Sequence, residues 1–330
     1  AAWEDLAANP DDDSTRSALL GIAEELAASM TGLDANLTEL GMRLDEEISD
    51  QVEEVNDILQ QLAGLNTRIA SNPEDLDLQD SRDQLLRELS GFLDVSVQYR
   101  DDGTVAVYAE SGQTLVSDSV AYSLSYDGPT SWSSLTGDST LEGQVNFEGS
   151  SSGEIVLEVV SAGTADGSAG AAQLKVSMDG GQTWLTNDDG SLMLFTADGE
   201  DGAITVDGVS IWLSAAGDSG ADGSGTLAVG DTFTVMAKSG LYWHSTTSGV
   251  ENITPLADAD SGLSDDRVAS GSLAGLFYVR DEFLAASQES LDALAATLAY
   301  ETNYAYSQGA SGENFSTATG TYAVDDTAVA

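Results

Sequence analysis

The sequence predicts an α+β protein: an elongated helical bundle domain formed by both chain ends, with an all-β domain inserted between them. Three observations carry this. Apolar residues recur in steps of three or four from Leu33 to Ile69, the spacing that lays one stripe along a helix. At Val95 the period changes to two, and short strands broken by Gly, Ser and Asp follow to about Gly271. Helical spacing returns after Arg280. The expected limits are 1–118 for the first part of the helical domain, with a β-hairpin at about 95–109, then 119–270 for the inserted domain and 271–330 for the second helical part.

The first element in order is a loop at Asn9-Pro10, feeding a helix with Asp13 or Ser14 as N-cap and Ala18, Leu19, Ile22, Leu26 and Met30 facing inward. Thr31-Gly32 is either a bend or run through. The stripe Leu33, Leu37, Leu40, Leu44, Ile48, Val52, Val55, Leu59, Leu62, Leu65 and Ile69 then implies a rod of roughly 60 Å. The two successive steps of four, Leu44 to Ile48 to Val52, are a stutter, which favours bundle packing over a regular two-stranded supercoil. Asn72-Pro73 ends the rod. A third helix at about Asp77 to Ser90 buries Leu78, Leu85, Leu86 and Leu89, with Gly91 placed to terminate it.

Val95, Val97 and Tyr99, the turn Asp101-Asp102-Gly103, and Val105, Val107 and Ala109 read as a hairpin. Further strands are expected near 120–126, 143–148, 154–160, 172–178, 192–196, 203–213 and 231–238. The small-residue segments Ser161 to Gly170 and Ala215 to Gly225 read as mobile loops. After Arg280, Leu284, Leu291, Leu294 and Leu298, with Phe283 and Ala295, form a seam that fades near Gly309 and should dock on the rod.

Composition excludes several functions. Ten basic residues against 57 acidic ones leave a formal charge of -47, which repels phosphate backbones and anionic lipid, so neither nucleic acid nor membrane is an expected partner. The same balance fits saline surroundings or a lineage bias. The absence of cysteine removes disulfides and thiolate chemistry. No run approaches the roughly 18 apolar residues that span a bilayer, and no conventional cleaved export signal opens the chain. A start without Met and an acidic, alanine-containing tail suggest an excised fragment.

Chemical motifs are few. Ser177, Asp179, Gly181, Thr183 and Trp184 fit the S-x-D-x-G-x-T-W pattern, which resembles the Asp-box hairpin of sialidases; a single copy reads as a structural turn rather than a propeller blade. His244 is the only histidine, so a His-pair metal site is impossible and G-x-S-x-G is missing nearby. Asp101-Asp102-Gly103 and Asp188-Asp189-Gly190 lack EF-hand spacing and read as turns. No catalytic, cofactor or metal residue is expected.

One set of residues resembles a known family. Trp3 to Arg16 (W-E-D-L-A-A-N-P-D-D-D-S-T-R), Val55-Asn56, Leu65-Asn66, Asp80-Ser81-Arg82-Asp83-Gln84-Leu85-Leu86 and Asp102 to Val107 with Gly112 to Val116 are similar, in order and spacing, to the flagellar hook-associated protein 1 family (FlgK). Gly271 to Leu276, Arg280-Asp281, Leu291 to Ala295 and Asn303 continue the likeness. Asp80, Arg82, Asp83, Leu85, Arg280, Asp281 and Asn303 are the family-motif positions. Ser81 stands where the family usually has Gln, Tyr306 lies where a His is common, and 119–267 match weakly. The resemblance implies a non-catalytic structural protein joining hook and filament, extracellular, exported by the flagellar type III pathway. Its implied partners are the hook protein, the second junction protein, neighbouring copies of itself and an export chaperone for the full-length protein. Without the family's terminal helices, this fragment should be monomeric. The alternatives are another axial protein (second junction protein, flagellin or filament cap), a carbohydrate-binding β module resting on the Asp-box, and a Ca²⁺-dependent adhesin.

Overall fold

The computed structural model describes residues 2–9, 11–245, 249–256 and 267–307, and they form the mixed helix and sheet protein expected. The helices are α1 (Ala2–Ala8), α2 (Asp13–Ser71), α3 (Leu76–Phe92), α4 (Gly271–Tyr278) and α5 (Ala285–Ser307), with a π-helical turn, Val279–Leu284, between the last two. Helix α1 was not foreseen.

Helix α2 runs unbroken through Thr31-Gly32 for 59 residues, roughly 90 Å at 1.5 Å per residue. It starts on Asp12, whose carboxylate accepts the Ser14 amide at 2.9 Å, one residue before the expected cap. Burial divides this helix. Leu44, Ile48, Val52, Val55, Leu59, Leu62 and Ile69 are buried, whereas Ile22, Leu26, Leu33 and Leu40 are exposed. The inward stripe expected from Ala18 to Met30 is therefore corrected. Periodicity identifies the apolar face of a helix, and over the first half of α2 that face is left largely open, with Leu19, Met30 and Leu37 only half-buried.

Helix α3 is capped by Asp75, which accepts the amides of Asp77 and Leu78 at 3.1 and 3.3 Å. It does not stop at Gly91, which is not in the left-handed region. It ends where Leu93, fully buried, turns into the core with an extended φ of -151°. In the last helical stretch Leu284 and Leu291 are buried, but Phe283, Leu294 and Leu298 are exposed, so the expected docking seam is covered only at two positions. The part of it near Gly309 lies outside the described residues.

The first sheet is β1 (Val95–Tyr99), β2 (Val105–Ala109), β3 (Thr114–Ser117) and β4 (Val120–Ala121), antiparallel and in that order. Next comes β5 (Ser123–Asp127). It is followed by β6 (Thr130–Ser134), β7 (Gln144–Glu148), β8 (Ile155–Ser161), β9 (Gly163–Thr164), β10 (Gln173–Ser177), β11 (Leu194–Thr196), β12 (Ile204–Val206), β13 (Val209–Ala215), β14 (Asp218–Asp222), β15 (Thr226–Leu227) and β16 (Thr232–Met236). The chain then returns in β17 (Gly240–Ser245) and β18 (Gly249–Asn252). A five-stranded sheet has the order β11-β10-β8-β16-β6; β13 pairs with β12, β14 and β7; and β17 lies between β18 and β5.

Two expectations fail locally. The single strand at 203–213 is a hairpin, because Asp207 and Gly208 take positive φ of 46° and 74°, the two-residue turn whose twist suits a hairpin. The supposed mobile loops carry structure: β9 and β14 lie in them, and Ala165 is fully buried.

The buried apolar side chains form two main clusters. One joins α2 from Ile48 to Ala63 with α3, β2 and β3, and includes Leu124, Leu241, Trp243, Ile253, Val268, Leu273 and Phe277. The other runs from Val145 to Ala237. The strands β5 and β17, and the segment after them, thus pack on the helical body, and the core of the insertion is narrower than the expected 119–270. The chain divides into two compact units, Leu44–Glu282 and one assembled from both ends, up to Arg43 and from Phe283 on.

Candidate functional site

The conspicuous side-chain chemistry lies in buried polar joints. Asn66 interrupts the apolar stripe of α2 and is 1% exposed. Its Nδ2 donates to the Val105 carbonyl at 2.7 Å and to the Asp118 carbonyl at 2.8 Å, and its Oδ1 accepts the Val105 amide at 2.9 Å. Asn56 repeats the device three turns earlier, donating to the Leu124 carbonyl and accepting the Leu124 amide, both at 2.8 Å. A primary amide offers the same donor and acceptor as a peptide, so each asparagine serves the strand as a neighbouring strand does.

Arg82 performs the same office for α3. Its guanidinium is buried, donates to the Gly103 carbonyl at 2.6 Å, pairs with Asp83 at 2.7 Å and lies 5.0 Å from the centre of the Tyr99 ring. It holds the β1–β2 turn, where Gly103 has a φ of 80°. In that turn Asp102 accepts the Thr104 hydroxyl and amide at 2.6 and 3.0 Å, which hold its carboxyl below the usual range. Leu85 is half-buried and packs against the first core. Asp80 and Asn303 are exposed on α3 and α5.

The densest joint centres on Arg280. The π-helical turn puts it and Asp281 inward together, both largely buried. Arg280 donates to Asp281 at 2.6 and 3.1 Å, to Asp45 of α2 at 3.1 Å, to the Ser239 carbonyl at 2.9 Å and to the Tyr126 hydroxyl. The Tyr126 hydroxyl in turn donates to Asp45. Asp281 also receives Lys238 at 2.6 Å. Burial opposes the charge of Arg280, but bonds to Asp281 and the adjacent negative charges outweigh it and raise its pKa. Burial lowers that of Lys238, with Asp281 offsetting part of the effect. Burial raises the pKa of Tyr126, with Arg280 opposing. Every group here is hydrogen-bonded or ion-paired within the joint and so holds α2, the π-helical turn and the strands together.

The Asp-box residues come together in one turn. Burial works against the charge of Asp179, yet it stays below the usual carboxylate range. Its carboxylate accepts the Ser177 hydroxyl at 2.6 Å, the Gln182 amide at 3.0 Å, and the Thr183 amide and hydroxyl at 2.9 and 2.5 Å. Gly181 supplies a φ of 96°, and Trp184 is half-buried with the Lys175 ammonium 3.8 Å from its ring centre. Asp189 likewise accepts the Ser191 hydroxyl and amide in its own turn. His244 meets the Ser125 hydroxyl through Nε2 at 2.6 Å, and that hydroxyl donates to Asp127 at 2.5 Å. Serine, rather than histidine, stands in the middle, so the order needed for nucleophile activation is absent. Among the described residues, no group of three or more His, Cys, Asp or Glu is placed to hold a metal ion. No described helix is long and apolar enough to cross a membrane.

Sequence reading named Arg82, Arg280 and Asp281 but missed Asn56 and Asn66 as clamps. The signal for Asn66 was present: an asparagine among buried positions of an otherwise apolar stripe. For Asp45, Tyr126 and Lys238 no local signal exists.

Fold and joints together define a scaffold, a long helix carrying side chains that lock onto sheets. The family model for the helical domain of flagellar hook-associated protein FlgK matches residues 1–172 and 171–319, and the chain belongs to this family. It is 33% identical over 125 residues to flagellar hook-associated protein 1 of Salmonella typhimurium, covering 36% of this chain and 23% of that protein. It is 31% identical over 113 residues to that of Bacillus subtilis, covering 33% and 22%. The aligned part thus spans under a quarter of these relatives' length. Among solved structures, the hook junction protein FlgK from Burkholderia pseudomallei aligns with a TM-score of 0.44 at 16% identity, covering 77% of this chain and 57% of that one. The junction protein FlgL from Legionella pneumophila gives 0.20 at 15% identity, covering 89% and 98%.

Proposed function

We propose that this chain is the core of a hook–filament junction protein, a non-catalytic structural part of the bacterial flagellum that works outside the cell. The observation that carries the reading is the family match, whose two segments, 1–172 and 171–319, together take in the helical stretches and the β region between them. The hook protein, the second junction protein and neighbouring copies are its partners in the axial structure. The full-length protein leaves the cell by flagellar type III export with a dedicated chaperone, and this chain alone is a monomer. Both chain ends build one helical domain, a reading supported by buried Leu284 and Leu291 and by Leu284 Cδ2, which lies 3.2 Å from where a Cβ on Gly41 would stand. Within it Arg82, Asp83, Leu85, Arg280 and Asp281 are framework positions, and exposed Asp80 and Asn303 are available to neighbouring protomers.

Another axial protein is a weaker reading, because the family model is that of the first junction protein. A carbohydrate-binding module has little left to stand on, since the Asp179 carboxylate is used within its own turn. The test is complementation of a non-filamentous junction mutant with the full-length gene: filaments should return, and export without filaments would defeat the reading. Light scattering at moderate salt should give a monomer; a stable ring would refute that part.

A further inference from the structure

The two apolar cores of the unit Leu44–Glu282 are joined by charge rather than by shared apolar surface. The chain crosses between them twice, from β5 to β6 and from β16 to β17. Beside the second crossing Lys238 donates to Asp281 at 2.6 Å and to the Ser152 carbonyl, and the Ser239 carbonyl receives Arg280 at 2.9 Å. A second brace adjoins the first, since Glu154 stands two residues from Ser152 and its charge acts on Lys238. Glu154, 6% exposed and immediately before β8, receives the Arg267 guanidinium on both oxygens at 3.1 and 2.9 Å and Asn252 at 3.2 Å. Ser152 and Glu154 belong to the β lobe; Asp281, Arg267 and Asn252 belong to the helical body.

Sequence charge makes these braces necessary. Residues 130–237 carry sixteen acidic residues and one lysine, a formal charge of -15, which leaves -32 of the chain's -47 elsewhere. Lobe and body therefore repel one another. Of only ten basic residues in the chain, three, Lys238, Arg267 and Arg280, stand at this junction on buried carboxylates. At an exposed site each would be screened and of little worth; here they are enclosed, where salt reaches them least.

We propose that the Lys238–Asp281 and Arg267–Glu154 pairs form an electrostatic latch that fixes the acidic lobe on the acidic body against their mutual repulsion.

The absence of cysteine allows spin labels at two engineered positions, E88C on α3 and D188C in the lobe, in the full chain. The unaltered latch should give one narrow distance distribution, the same at about 10 mM and 1 M NaCl, where the screening lengths are about 30 and 3 Å. In K238M/E154Q/R267M the distance should lengthen and broaden at low salt and return at high salt, with amide exchange protection retained in both cores. An unchanged distance in this variant at low salt would overturn the proposal, as would a salt-dependent distance with the latch intact. Should the triple variant lose protection in either core, K238M alone decides: an intermediate, salt-reversible lengthening supports the latch, and none refutes it.

Discussion

Asn66 shows how much one polar side chain decides inside an apolar helix face. Asn66→Ala leaves the buried amide and carbonyl of Val105 without partners and takes a donor from the carbonyl of Asp118, and should lower stability by about 2–4 kcal/mol. Asn56→Ala, at a partly exposed site, should cost about 1–2 kcal/mol, and urea midpoints at constant m-value would measure both. Asp231 is the lobe's counterpart. It is fully buried, and its carboxylate accepts the amides of Thr136 and Ala228 at 2.7 and 2.8 Å and the Thr136 hydroxyl at 2.8 Å. Burial opposes its charge, yet these bonds hold its pKa below the ordinary value. A depressed folded-state pKa contributes stability that is present above the unfolded value and lost as pH falls through the folded one. The lobe should therefore weaken on acidification below about pH 4, and Asp231→Asn should flatten that dependence when thermal melts are compared from pH 3 to 6. Residue chemistry of this kind was only partly legible in the sequence. A lone Asn in an apolar stripe signals a buried partner, but nothing local says that Val105 or Leu124 is that partner, because the pairing spans 39 and 68 residues.

At the scale of elements, the two halves of α2 obey the same period and have different fates. Leu59 is fully buried and Leu26 is 47% exposed. Leu59→Ala should cost about 2–5 kcal/mol through lost burial and a cavity, while Leu26→Ala in this chain should stay within about 0.5 kcal/mol. Equal losses in denaturant melts would mean that the first half is packed as well. The existence of α2, α3, the β1–β2 hairpin and most strands was readable, since 3.6- and 2-residue periods are local properties. Their ends were less so. Gly91 looked like a terminator, but the pull of Leu93 into the core decides where α3 stops. Asp207-Gly208 carried a turn signal between two apolar runs, and reading those runs as one strand overlooked it. Gly271 illustrates a contact no pattern announces: it holds a φ of 87°, and a Cβ there would stand 2.3 Å from the Phe92 carbonyl oxygen, so only glycine lets α4 start against the end of α3.

For the molecule as a whole, net charge sets the terms. With -47 over 330 residues, self-repulsion opposes the compact state, and the few surface ion pairs return little. Melting temperature should consequently rise as NaCl is raised from about 10 mM to 1 M, as the screening length contracts; a fall would mean that exposed pairs such as Arg43–Glu39 outweigh repulsion. The inserted β region was visible in the sequence as a change of period. Its true core was not, because β5 and β17 read like any other strands and only their packing assigns them to the helical body. Their pairing has a wider meaning. Asp127 stands opposite Gly240, and Thr130 opposite Met236, so the lobe leaves and rejoins the body through neighbouring antiparallel strands whose facing Cα atoms are about 5 Å apart. A doorway that narrow makes the body indifferent to the size of what hangs from it. A tight turn could replace the whole appendage, or a larger one be spliced in, without parting β5 from β17, provided the carboxylate that Glu154 offers Arg267 is supplied in another way.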